Sequence, residues 1–217
     1  MTRRTAFVIF FCALSLTALV VLEGADLRTT GDARGYAPKQ PIAFSHALHA
    51  GEMKIDCRYC HFSAERSRHA GIPGPGLCMN CHRFVSAPIL DVRQEEAKAK
   101  AEGRPVKPVV SPEIRKIYEA LALDDALKPI EGKTPEGIAW IKVHNLPDFV
   151  FFDHSRHVGA GVDCAICHGP VETMSRVRQV EDLSMGWCVN CHRQVNEEGW
   201  NGRQDLHAST DCSVCHY

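Results

Sequence analysis

The 217-residue chain has almost no charge excess: 25 Lys and Arg against 26 Asp and Glu leave a net −1 and a pI near 6.9. Without a basic surplus, nucleic acid is excluded as the main partner. The chain also lacks any βαβ pattern, so a thioredoxin-type C-x-x-C has no frame to sit in. Apolar sequence is in short supply, because part of the 45% hydrophobic content lies in one N-terminal run. A chain of this length ordinarily makes one or two domains. What it has in excess is cysteine, 11 in all.

Ten of the 11 fall into five copies of C-x-x-C-H. They are Cys57-Arg58-Tyr59-Cys60-His61, Cys78-Met79-Asn80-Cys81-His82, Cys164-Ala165-Ile166-Cys167-His168, Cys188-Val189-Asn190-Cys191-His192 and Cys212-Ser213-Val214-Cys215-His216. This is the attachment signature of haem c. The two thiols become thioethers to the vinyl groups, and the adjacent His lies under the iron as proximal ligand. Zinc sites and a disulfide framework are the other uses of paired cysteines, but neither requires a His after every second Cys. With only 12 His in the chain, five of five is not a chance pattern. Five haem c leave little room for a side-chain core. The expected fold is therefore mostly α and irregular: a multihaem cytochrome c (class III-like) wrapped around five haems, with one N-terminal transmembrane helix. Since cofactor binding is then part of folding, the haem-free chain is not expected to fold.

Arg3 and Arg4 precede an apolar run from Ala6 to Leu22, at the short end of what spans a bilayer, about 17–25 residues. No clear A-x-A site follows, so the reading is an uncleaved anchor over residues 1–23. The basic start places the N-terminus in the cytoplasm and the rest on the extracytoplasmic, periplasmic side of a bacterial cytoplasmic membrane. Cys12 reads as a small apolar residue of the span. Residues 24–41, polar with Gly and Pro, read as a linker.

Phe44-Ser45-His46-Ala47-Leu48-His49 precedes the first motif, and Phe152-Asp153-His154-Ser155-Arg156-His157 precedes the third. Each F-x-H-x-x-H leads through a Gly-containing turn and an apolar-Asp pair (Ile55-Asp56, Val162-Asp163) into C-x-x-C-H. A second motif ending Asn-Cys-His-Arg follows in both halves. This is an internal duplication. It predicts a first dihaem unit at 42–84 and a second unit, 148–217, with the fifth haem appended. The insert between them, 85–147, predicts a helix from about Pro88 to Glu102, stopped by Gly103 and Pro105. A second helix opens at Ser111-Pro112-Glu113 and runs to about Leu121.

Five proximal ligands, His61, His82, His168, His192 and His216, leave seven His. Two imidazoles three residues apart share a helical face yet can reach different irons. His46, His49, His154 and His157 are therefore candidate distal ligands, and His46 and His154 are expected to serve the haems at Cys60 and Cys167. His144, in the insert, is the fifth candidate. Met174 and Met185 compete as a thioether substitute at one site, which would raise that haem's potential. His69 and His207 read as ordinary His.

Val143-His144-Asn145-Leu146-Pro147-Asp148-Phe149-Val150-Phe151-Phe152, Leu183-Ser184-Met185-Gly186-Trp187-Cys188, and Gly71-Ile72-Pro73 before the second motif carry a likeness. In these the chain resembles the pentahaem cytochrome c subunit of bacterial alternative complex III, a quinol:electron acceptor oxidoreductase. Its H-x-x-H halves are similar to cytochrome c3/c7-type units. The resemblance implies a respiratory-chain haem wire anchored by one N-terminal helix. Implied partners are an iron–sulfur/molybdopterin-like subunit, monohaem cytochrome c and integral membrane quinol-binding subunits. The function expected is electron transfer with no catalytic residue. The competing readings are a self-contained membrane-anchored quinol dehydrogenase and a multihaem reductase, both of which need an open iron.

Overall fold

A computed structural model describes residues 33–216. The expected anchor and Cys12 lie outside the described residues. Among the described residues no helix is long and apolar enough to cross a membrane. No strand forms there either; antiparallel pairing is limited to isolated bridges joining Leu123 to Pro129, Val150 to His216 and Trp200 to Arg203.

The described chain is a series of short helices. A π-helical turn, Ala47–Glu52, is followed by α1 (Cys57–Cys60), α2 (Pro75–His82), α3 (Ile89–Glu102), α4 (Pro112–Ala120), α5 (His154–Gly159) and α6 (Cys164–His168). A 3-10 turn, Val171–Thr173, leads to α7 (Met185–Glu198) and α8 (Cys212–Cys215). All five C-x-x-C pairs lie on helices, three of them on single turns. Such turns are too short to persist alone, and here each is started by a side chain. Asp56 accepts from the Arg58 amide, Asp163 from Ala165 and Asp211 from Ser213. Ser184 caps α7 through the Trp187 amide, and α2 has Pro75 at its first position. The apolar-Asp pairs of the duplication are thus helix caps that aim the thiols.

The insert folds much as its punctuation predicts. Pro88 is the N-cap of α3, and Gly103, at φ 62°, closes it in the left-handed conformation that glycine adopts without a Cβ clash. Pro112 opens α4 with Ser111 at the N-cap position, but the Ser111 hydroxyl makes no cap bond. Glu113 instead accepts from the Ala43 amide and from Lys116, which ties the helix to the start of the first unit.

Conventional apolar core is sparse. Ile42, Val110, Ile117 and Tyr118 form one buried cluster, with Cys78, Met79, Leu121 and Trp140 packed against it. The insert therefore supplies a scaffold that holds the second attachment motif. Elsewhere large apolar side chains near the motifs stay open, Phe62 and Ile72 at 63% and 62% exposure among them. The π-helical turn rests on the 3-10 turn: the Ala47 amide donates to the Met174 carbonyl, and a Cβ on Gly51 would strike the Glu172 carbonyl oxygen. The first unit is thereby clamped to the second.

Candidate haem centres

The two F-x-H-x-x-H segments build the same object. Phe44 meets His46 edge-on, 4.8 Å between ring centres at 86°, and stacks on His49 at 4.3 Å and 26°. Phe152 meets His154 at 4.8 Å and 88° and stacks on His157 at 4.5 Å and 26°. One aromatic ring thus meets one imidazole edge-on and stacks on the other in both halves, although the first segment is π-helical and the second α-helical. The Phe recurs at one spacing in both halves. That recurrence was the signal of its role, which ligand counting alone passes over.

Three candidate distal rings stand opposite proximal ones. His49 and His82 have ring centres 6.1 Å apart, His157 and His192 6.1 Å, and His154 and His168 6.3 Å with planes 7° apart. An iron between two imidazoles, with metal–nitrogen bonds of about 2.0 Å and about 1.1 Å from nitrogen to ring centre, separates the centres by about 6.2 Å. Direct ring packing would bring them closer, as His144 and His168 show at 4.3 Å. The three separations fit an intervening iron.

The hydrogen bonds fit it too. The Nδ1 of His49 meets the Ser45 carbonyl at 2.8 Å, that of His154 the Arg68 carbonyl at 2.7 Å and that of His157 the Asp153 carbonyl at 2.8 Å. On the proximal side His61 pairs with the Gly71 carbonyl at 2.7 Å, His82 with Val85 at 2.9 Å and His192 with Ser209 at 2.6 Å. A carbonyl only accepts, so each Nδ1 carries the proton and donates. With Nδ1 so engaged, Nε2 is the nitrogen left to bind a metal. Burial, with nearby imidazoles second, holds His46 and His144 down at about 4 and His168 at about 3, so these rings are neutral at physiological pH.

Of the ten motif cysteines, Cys57, Cys81, Cys164 and Cys212 are exposed and the other six half-buried. Burial lifts Cys167 to about 11 and raises Cys60, Cys78, Cys164 and Cys188. Reactive and zinc-bound cysteines need the opposite, an electropositive surround. All ten described cysteines are free, so they form no disulfide with one another. Among the described residues no three His, Cys, Asp or Glu side chains converge as a zinc centre requires.

The comparisons agree with this geometry. Residues 150–217 match the family model "Cytochrome c7 and related cytochrome c". Over 198 residues the chain is 24% identical to the menaquinone reductase, multihaem cytochrome c subunit, of Nitratidesulfovibrio vulgaris, covering 82% of this chain and 77% of that one. Together they support a multihaem cytochrome c.

The remaining candidates are placed differently. His46 is close enough to His61 for the charge of that ring to act on it. His144 lies edge-on beside His168, at 86°, with its Nε2 buried and unpartnered. At 4.3 Å the two cannot hold one iron from opposite faces. Met174 is buried, 3% exposed, with its carbonyl bonded to Ala47. Met185 opens α7 at 70% exposure, one turn before Cys188. His216 bridges to Val150 and has the Phe149 ring 5.7 Å away. Sequence reasoning missed Tyr118, whose hydroxyl donates to the His82 carbonyl at 2.7 Å. An apolar helix face carries no mark of such a role.

Proposed function

We propose that the chain is the electron-transfer cytochrome subunit of a membrane quinol:acceptor oxidoreductase, carrying five haem c. The observation that carries the reading is the three His pairs spaced for an intervening iron. A haem c with both axial positions filled by protein exchanges one electron between Fe(III) and Fe(II) and leaves no site for substrate. The ten thiols attach the macrocycles. His61, His82, His168, His192 and His216 are the proximal ligands. His46, His49, His154 and His157 would hold the same irons as His61, His82, His168 and His192. The carbonyls of Ser45, Gly71, Arg68, Val85, Asp153 and Ser209 hold the ring tautomers.

At the site of His216, Met185 would supply the second ligand to the iron. Its helix carries Cys188, whose thiol lies close enough to Cys215 to feel its charge. Met174 is interior packing, and His144 is a buttress of His168. The relative belongs to a menaquinone reductase, which supports a place beside quinol-binding and other redox subunits. The finer reading is the pentahaem subunit of alternative complex III, held to the periplasmic face by an anchor at residues 6–22.

Mass spectrometry of the mature protein should find five added macrocycles. Electron paramagnetic resonance of the oxidised form should show only low-spin iron, and the isolated subunit should not oxidise a quinol. Fewer macrocycles, a high-spin signal or quinol oxidation by the subunit alone would overturn the proposal.

A further inference from the structure

We infer that Arg68 is a clamp for a haem propionate, a role that rests on the haem reading above and goes beyond axial ligation and thioether attachment. An orphaned donor carries the inference. The Nε of Arg68 is buried and meets no acceptor. Other guanidinium groups of the described chain are paired with carboxylates: Arg58 with Asp56 and Glu65, Arg104 with Glu95 and Glu102, Arg115 with Asp125, and Arg203 with Asp205. Arg68 takes part in no ion pair among the described residues. Its guanidinium lies over the Phe151 ring instead, 4.5 Å from the ring centre. A ring face compensates part of the charge but leaves the in-plane N–H groups without an acceptor. Leaving a charged donor buried and unsatisfied is costly, so the site calls for an anion that supplies the acceptor.

The place of Arg68 in the fold says which anion. Its carbonyl accepts from the Nδ1 of His154 at 2.7 Å and from the His154 amide at 3.2 Å, so its side chain starts beside the ring that faces His168. Phe151, against the guanidinium, donates its amide to the Cys215 carbonyl at 2.8 Å. Arg68 thus touches residues that belong to the His168 and His216 sites. Each haem c carries two propionate carboxylates, and the planar guanidinium fork matches a carboxylate with two parallel N–H···O bonds. A haem at one of these two sites supplies the missing acceptor. The fixed positive charge offsets the propionate's negative charge, which favours Fe(II) and raises that haem's potential.

NMR of the fully reduced, diamagnetic holoprotein with nitrogen-labelled arginine tests this in the wild type. The Arg68 Nε–H should exchange slowly with water and show Overhauser contacts to the propionate methylene protons of a single haem. Assigning that haem through its thioether bridges decides between the Cys164/Cys167 and Cys212/Cys215 sites. Redox titration of variants gives a second readout. Arg68→Gln should shift one haem toward Fe(III) by roughly tenfold, a fall of about 59 mV for one electron. Arg68→Lys keeps the charge and should recover most of that shift. An Nε–H in contact with no propionate, or with one at another site, would overturn the clamp while leaving the haem reading intact. So would wild-type potentials in Arg68→Gln. A protein without covalent haem would overturn both.

Discussion

The Tyr118 hydroxyl reaches back 36 residues to donate to the backbone carbonyl of His82. Tyr118 is 1% exposed, so that bond is made inside the small core of the insert. The insert carries no C-x-x-C-H motif of its own, yet it holds the backbone of His82 in the second one. Replacing Tyr118→Phe removes the donor and leaves the buried carbonyl unpaired, at a cost of about 1–2 kcal/mol. Thermal unfolding of the holoprotein should show a lower Tm, and the reduction potential of one haem should move while four stay in place.

His154 and His168 differ by only 7° in plane. His154→Ala should open one iron of five. The reduced variant should bind carbon monoxide at one haem, and one low-spin signal should convert to high spin. His154→Met should keep that iron closed and raise its potential. Five unchanged low-spin signals in the Ala variant would show that His154 is not a ligand.

Asp163 caps the single turn that carries Cys164 and Cys167. Asp163→Ala should cost about 1 kcal/mol, and Asp163→Asn much less, because the amide oxygen still caps. Denaturant unfolding of the two variants, compared at equal haem content, checks the ranking.

Gly51 lies so close to the Glu172 carbonyl that a methyl group has no room. Gly51→Ala should destabilise the holoprotein by about 1–3 kcal/mol through forced backbone movement. Gly76, in α2 with open space around it, should accept Ala at no cost. Equal effects at the two positions would contradict the clamp between the units.

Glu95 accepts from the Arg104 guanidinium, which holds its carboxyl down at about 2 from an ordinary 4.5. A carboxyl depressed in the folded state stabilises above its ordinary value and loses that contribution as pH falls from about 4.5 to about 2. The Tm difference between the wild type and Glu95→Gln should therefore be largest near neutrality and vanish toward pH 2. Added salt should shrink it at neutral pH, since the pair is partly open to solvent.

The sequence by itself pointed to a multihaem cytochrome c, because C-x-x-C-H needs only local spacing. It also carried the duplication, both helices of the insert and the distal candidates of the H-x-x-H pairs, because each rests on residues a few positions apart. Tertiary structure decided the rest. His154 meets His168 because Arg68, 86 residues earlier, offers a carbonyl to its Nδ1, and no local pattern encodes so distant a partner. His144, the candidate ligand of the insert, lies edge-on beside His168, 24 residues further along the chain. Which imidazole faces which depends on how two similar units dock. Spacing along the chain names the candidate ligands, while pairing them is a matter of distance in space.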